Sequence, residues 1–152
     1  MTELKVVHVV DYILDEMNKK KVEDTSPLKL QRMLFIAKTQ YYVETGKELF
    51  PEDFHRWDPG PTHLRTMYKY KPYVNKNINE DYSTDHSILK LHLEQKDVID
   101  KVIKKYAHLD CVSSTMTKLT LGSDIFQNKN RNDVIGFDDI KKYYKCEVMD
   151  IV

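Results

Sequence analysis

The segment from Ser26 to Gly46 constrains this chain more than any other, because both ends of one long helix are written into it. Ser26 can accept from the free amides of a first turn, and Pro27 fits the first helical position. Gly46 supplies the left-handed residue that follows a last turn. Between them Leu30, Leu34, Ala37 and Tyr41 recur on one stripe, with Met33 and Phe35 at its margins. A helix of this length is marginal alone in water, so burial on more than one side must offset its cost of ordering. The segment predicts the centre of the fold.

Other segments place helices around it. Val6, Val7, Val10, Ile13, Leu14 and Met17 fall near helical spacing, opposite Lys5, Asp11, Asp15, Glu16 and Asn18. This first helix is expected to begin at Thr2 or Glu3 and stop near Lys19, Lys20 and Lys21, where cations complement the last carbonyls. Phe54 to Trp57 reads as a short strand, and Asp58-Pro59-Gly60-Pro61 as a turn. A third helix is expected from Pro61 or Thr62, with Leu64 and Tyr68 on its buried side, ending before Pro72. Val74 to Asp85 lacks a period and predicts an exposed mobile loop. Helices follow at Glu94 to Tyr106, Ser113 to Leu119 and Phe137 to Tyr144, with a polar loop at Asp124 to Asp133. The expected architecture is mainly α: one compact helical domain over residues 1–152, with a short strand or hairpin near residues 50–58.

Composition removes several classes of function. The 152 residues are 41% hydrophobic and 32% charged, an ordinary globular balance. No apolar run approaches the roughly 18 residues of a membrane span, and the opening residues lack the core of a signal peptide, which predicts a cytoplasmic protein. Lys plus Arg and Asp plus Glu stand at 24 each, so no net positive field favours nucleic acid. Gly46, Gly60, Gly122 and Gly136 are too scattered for a phosphate-binding loop. The six histidines are scattered, and His108 and Cys111, three apart across the Leu109-Asp110 connection, have no clear third ligand, which predicts no cofactor and no metal. Cys111 with a distant histidine could form a nucleophilic pair, but a packed thiol is the commoner state of a cysteine. A non-enzymatic protein is expected.

Binding residues are sought among exposed aromatics and cations. Arg65, Tyr68, Lys69, Tyr70, Lys71 and Tyr73 interleave the two kinds, as a platform for single-stranded nucleic acid would. A nucleic-acid-binding accessory protein using Arg65 to Tyr73 is therefore the alternative function. For a protein partner, the candidates are Trp57, Arg65, Lys69 and Tyr70. Trp57, the single tryptophan, is expected to pack between the second and third helices; the competing role is an interface anchor on a rigid turn.

One block goes beyond patterning. Pro27-Leu28-Lys29-Leu30-Gln31-Arg32-Met33-Leu34-Phe35, Tyr41, Gly46, Leu49-Phe50, Phe54, Trp57, Gly60-Pro61 and Tyr68 resemble the Panacea domain of the SocA-like antitoxin family. The resemblance is strong in the first half of the chain and weaker through Tyr106 and Leu119-Thr120. It implies a compact helical domain that neutralises a co-encoded toxin, by direct contact or by presenting it to a cellular protease, in a phage or mobile-element setting. Two departures stand out. After Leu119-Thr120 the family usually carries a His and then a Trp, where this chain reads Leu121-Gly122-Ser123-Asp124-Ile125-Phe126. Thr62 takes the place of an aliphatic residue after the Gly-Pro pair.

Overall fold

The computed structural model describes residues 4–80 and 86–147, apart from the side chains of residues 86 and 87. Among these residues the chain is mainly α, with helices α1 (Val6–Lys19), α2 (Pro27–Thr45), α3 (Leu64–Tyr70), α4 (Leu93–Tyr106), α5 (Ser114–Leu119), α6 (Asp124–Gln127) and α7 (Phe137–Tyr143). Three short strands complete it: β1 (Phe54–Trp57), β2 (Gly60–Thr62) and β3 (Val134–Ile135). They form an antiparallel sheet in the order β2-β1-β3. No helix among the described residues is long and apolar enough to cross a membrane.

The long central helix forms as its ends predict. Ser26 Oγ accepts from the Lys29 amide, Pro27 occupies the first turn, and Gly46 stops α2 at φ 75°. Neighbours surround α2, and even its polar residues Lys29, Gln31, Arg32, Lys38 and Thr39 are buried. α4 presents Val98, Ile99, Val102, Ile103 and Tyr106 to the core, and α1 presents Val9, Val10, Ile13, Leu14 and Met17. Tyr12 Oη donates to Asp100 at 2.7 Å, joining α1 to α4, and Tyr41 Oη donates to Glu94 at 2.8 Å, joining α2 to α4. On the other side Phe137 of α7 meets Tyr42 edge to face, with centroids 5.5 Å apart.

The hairpin expected near residues 50–58 is present, pairing His55 with Thr62 and Trp57 with Gly60. β2 takes up residues 60–62, so α3 begins at Leu64 and not at Pro61 or Thr62. That shift rotates the helix: Thr66 and Tyr70 are its buried residues, and Tyr68 is 58% exposed where burial was expected. Asp124 to Asp133 is not wholly a loop, since Ser123 caps α6 and Ile125 and Phe126 are buried. β3 was not expected at all; two residues give no measurable alternation, and it exists because Phe54 and His55 lie across from it.

The loop expected at Val74 to Asp85 also needs revision over its described part, residues 74–80. Ile78 is buried and its amide donates to the Thr25 carbonyl at 2.9 Å. Asn77 Oδ1 accepts from the Thr25 amide at 2.9 Å, and Asn77 Nδ2 donates to the Glu23 carbonyl at 2.8 Å. The segment is pinned to the α1–α2 connection by one apolar plug and three hydrogen bonds. Residues 81–85, like the predicted helix start at Thr2 or Glu3, lie outside the described residues.

Candidate partner-docking groove

The long polar side chains of α2 do not face solvent: Lys29, Gln31, Arg32 and Lys38 are buried. Gln31 Oε1 accepts from the His63 amide at 2.8 Å and Gln31 Nε2 donates to the His63 carbonyl at 3.0 Å, a two-point clamp on the chain entering α3. Lys29 Nζ donates to the Leu109 carbonyl, and Arg32 donates from Nη1 to the Cys111 carbonyl and from Nη2 to the Pro59 carbonyl at 3.1 Å. Lys38 Nζ donates to the Glu52 carbonyl at 2.8 Å, pairs with Glu48 at 3.3 Å and lies over the Phe50 ring. Each of these long side chains reaches from α2 to a backbone carbonyl of a segment distant in sequence.

Where the Arg32, Gln31 and Pro59 contacts converge, the loops do not close over α2. A groove of about 620 Å³ opens there, lined by Leu28, Trp57, Pro59, Pro61, Met67 and Val74. Its floor and rim add Asp24, Ser26, Gln31, Arg32, Thr62, Asn75 and Cys111. The size lies within the usual range for a ligand or peptide cleft. Trp57 is half-buried in this wall. The expectation that its ring packs between α2 and α3 is therefore met only in part: one side of it lines a recess.

Val74 forms the outer lip. It has φ 57° and ψ −106°, and its side chain is 75% exposed. A β-branched residue with positive φ is strained, and such residues tend to persist where surrounding structure holds them for a function. Here the anchors at Asn77 and Ile78 supply that restraint.

The four residues proposed from the sequence fall into two places. Trp57 belongs to the groove just described. Arg65, Lys69 and Tyr70 line a separate recess of about 700 Å³, with Val6, Val10, His55 and His63. Arg65 and Lys69, four apart, share one flank of α3, whereas Met67 lies on the flank that faces the Trp57 groove. Arg65 and Lys69 are exposed, but Tyr70 is 1% exposed and presents no face to a partner. The basic and aromatic stretch thus offers one well-exposed ring, Tyr68, with Lys71 Nζ 5.9 Å from its centroid. That is a poor stacking platform. Glu52 and Asp53 also line the recess, so its cations do not face an unopposed positive surface.

His63 caps α3, pairing Nδ1 with Thr66 Oγ1 at 2.8 Å and accepting from the Thr66 amide at 3.3 Å. Burial pushes its pKa below the usual histidine value, against the nearby Glu52 charge. Cys111 is buried, and burial, followed by the Asp24 charge and a hydrogen bond to Asp24, raises its pKa, so the thiol stays protonated. That environment suppresses nucleophilicity. Both cysteines are free thiols, and no group of three His, Cys, Asp or Glu converges among the described residues.

Sequence reasoning missed Leu28, Arg32, Met67 and Val74 as groove residues. One signal was available: Arg32 is a cation in a helix expected to be buried on more than one side. A buried cation needs something to receive it.

Residues 30–120 match the model of the protein family described as antitoxin SocA-like, Panacea domain, more than half of the chain. No curated protein and no solved structure matches it.

Proposed function

The chain belongs to the SocA-like antitoxin family with a Panacea domain, and from that premise we propose that it neutralises a co-encoded toxin by binding it through the Trp57 groove. The observation that carries this reading is the groove itself. An apolar cleft holding the only tryptophan of the chain is walled by two prolines and an exposed, strained Val74, and it opens on the surface. Aromatic residues in partly closed, rigid settings are frequent centres of protein interfaces. The protein acts by contact, and the protonated Cys111 has no part in it. Proteins, not nucleic acid, are the expected partners, and the work is expected to occur in the cytoplasm.

The test is co-expression with a toxin encoded beside this chain. The intact chain should restore growth, and Trp57→Ala and Met67→Asp should abolish rescue and co-purification while both variants still melt cooperatively. Rescue undiminished in both variants would remove the groove from the interface. The fate of the toxin separates the two modes: a stable complex marks direct blocking, and protease-dependent loss of the toxin marks an adaptor.

A further inference from the structure

Arg32 stands out within the groove. It is 4% exposed, yet its guanidinium has no carboxylate partner among the described residues. Its two recorded contacts are to neutral carbonyls, of Cys111 and Pro59, and Nε is buried with no partner. A guanidinium carries five N–H donors and cannot lose its charge in a protein. Removing such a charge from water without a counter-ion is costly, and buried charges are normally paired.

The nearest acid on the groove does not supply that pair. Asp24 is occupied by Ser26, whose amide donates to Oδ1 at 3.0 Å, and by the Cys111 thiol. These hydrogen bonds outweigh burial and keep the Asp24 carboxyl below its ordinary pKa. Lys29, the other buried cation here, is spent on the Leu109 carbonyl. The groove also lies against the first turn of α2, at Ser26, Pro27 and Leu28, where the helix dipole adds positive potential. Apolar walls and an uncompensated cation in the floor are the complement of an apolar segment that carries one acid.

Resting on the reading that a partner protein docks in this groove, we infer that the bound segment is apolar with a carboxylate side chain directed at Arg32. The carboxylate neutralises the guanidinium and takes its remaining donors, while flanking aliphatic side chains cover Trp57, Pro61 and Met67. Docking is then selective for an acid over its amide, because the amide occupies the same volume but leaves the charge unpaired. This places specificity in the floor of the groove and bulk affinity in its walls.

Trp57, the single tryptophan, reports on the site directly. The probes are two capped pentapeptides, leucine-rich and identical except for a central glutamate or glutamine, titrated into the whole protein while its emission is followed. The glutamate peptide should shift Trp57 emission saturably and bind about tenfold or more tightly than the glutamine peptide, the scale of one charged hydrogen bond. Arg32→Lys, which keeps the charge and loses the planar fork, should shrink that preference, and Arg32→Gln should remove it. Equal binding of both peptides to the intact protein overturns the carboxylate inference and leaves the groove as a docking site. If neither peptide perturbs Trp57, the groove reading falls with it. The comparison between peptides uses the unaltered protein, so a misfolded Arg32 variant does not decide the outcome.

Discussion

α4 and α2 lie against each other and solve the same problem differently. α4 divides into two faces: Val98, Ile99, Val102 and Ile103 are buried, while Leu93, Lys101 and Lys104 are exposed. α2 has no such division. Its apolar residues meet α1 and α4, and Gln31, Arg32 and Lys38 turn equally inward, toward loops that need hydrogen-bond partners. A two-faced helix needs only an apolar partner on one side. A surrounded helix must also satisfy the irregular backbone around it, and long polar side chains do so at a distance that backbone groups cannot bridge. At Arg32, beside the groove, this second kind of contact is incomplete, since Nε has no partner among the described residues.

Substitutions can sharpen or break the contrast. The largest expected effect is at Phe35, fully buried on α2 and edge to face with Phe54 at 5.3 Å. Phe35→Ala should cost about 3–5 kcal/mol by leaving a cavity. Urea denaturation measures it, and a loss below about 1 kcal/mol would show that the centre repacks freely.

Gln31→Leu comes next. It keeps the apolar bulk but strands the buried His63 amide, at a cost of about 1–3 kcal/mol, while the His63 carbonyl still accepts from the Met67 amide. A neutral result would mean that the polar side chains of α2 are passengers and that the helix behaves like α4.

A smaller effect is expected from His63→Asn, read through pH. The folded pKa of His63 is lowered, so the unfolded chain binds the proton more readily. Its contribution is fully present above the unfolded value of about 6.5 and is lost as pH falls toward the folded one. Melting temperature should therefore drop between pH 7 and 5, and the Asn variant, still able to cap α3, should show a shallower drop. An unchanged slope would place the acid sensitivity elsewhere.

The smallest effect belongs to α4. Leu93 is largely exposed at its first turn, and Leu93→Ala should change stability by no more than about 0.5 kcal/mol. A larger loss would show that this face of α4 is covered, and the two-faced description would fail.

Legibility in the sequence follows the range of the interaction. Ser26, Pro27 and Gly46 act within a turn of themselves, and both ends of α2 formed as read. The hairpin was legible because Pro59 and Gly60 punctuate it, but the start of α3 was not, since strand pairing of residues 60–62 with β1 overrode a helix-compatible stretch. With the start displaced by two or three residues, Tyr70 is buried and Tyr68 is not. Of the site, the sequence singled out Trp57 but not Arg32, because a cation in a helix expected to be buried signals a partner without showing which groups its guanidinium meets.

By itself, then, the sequence determined the caps, the apolar periods of α1, α2 and α4, and the family block around residues 27–35, all properties of residues within a few positions of one another. Only the tertiary structure decided which backbone carbonyls Lys29, Gln31 and Arg32 would meet, and that α3 would separate Trp57 from Arg65 and Lys69. The reason is physical. A buried polar side chain is placed by partners that lie far along the chain, here about 30 to 80 residues away, and no local pattern records where those partners arrive.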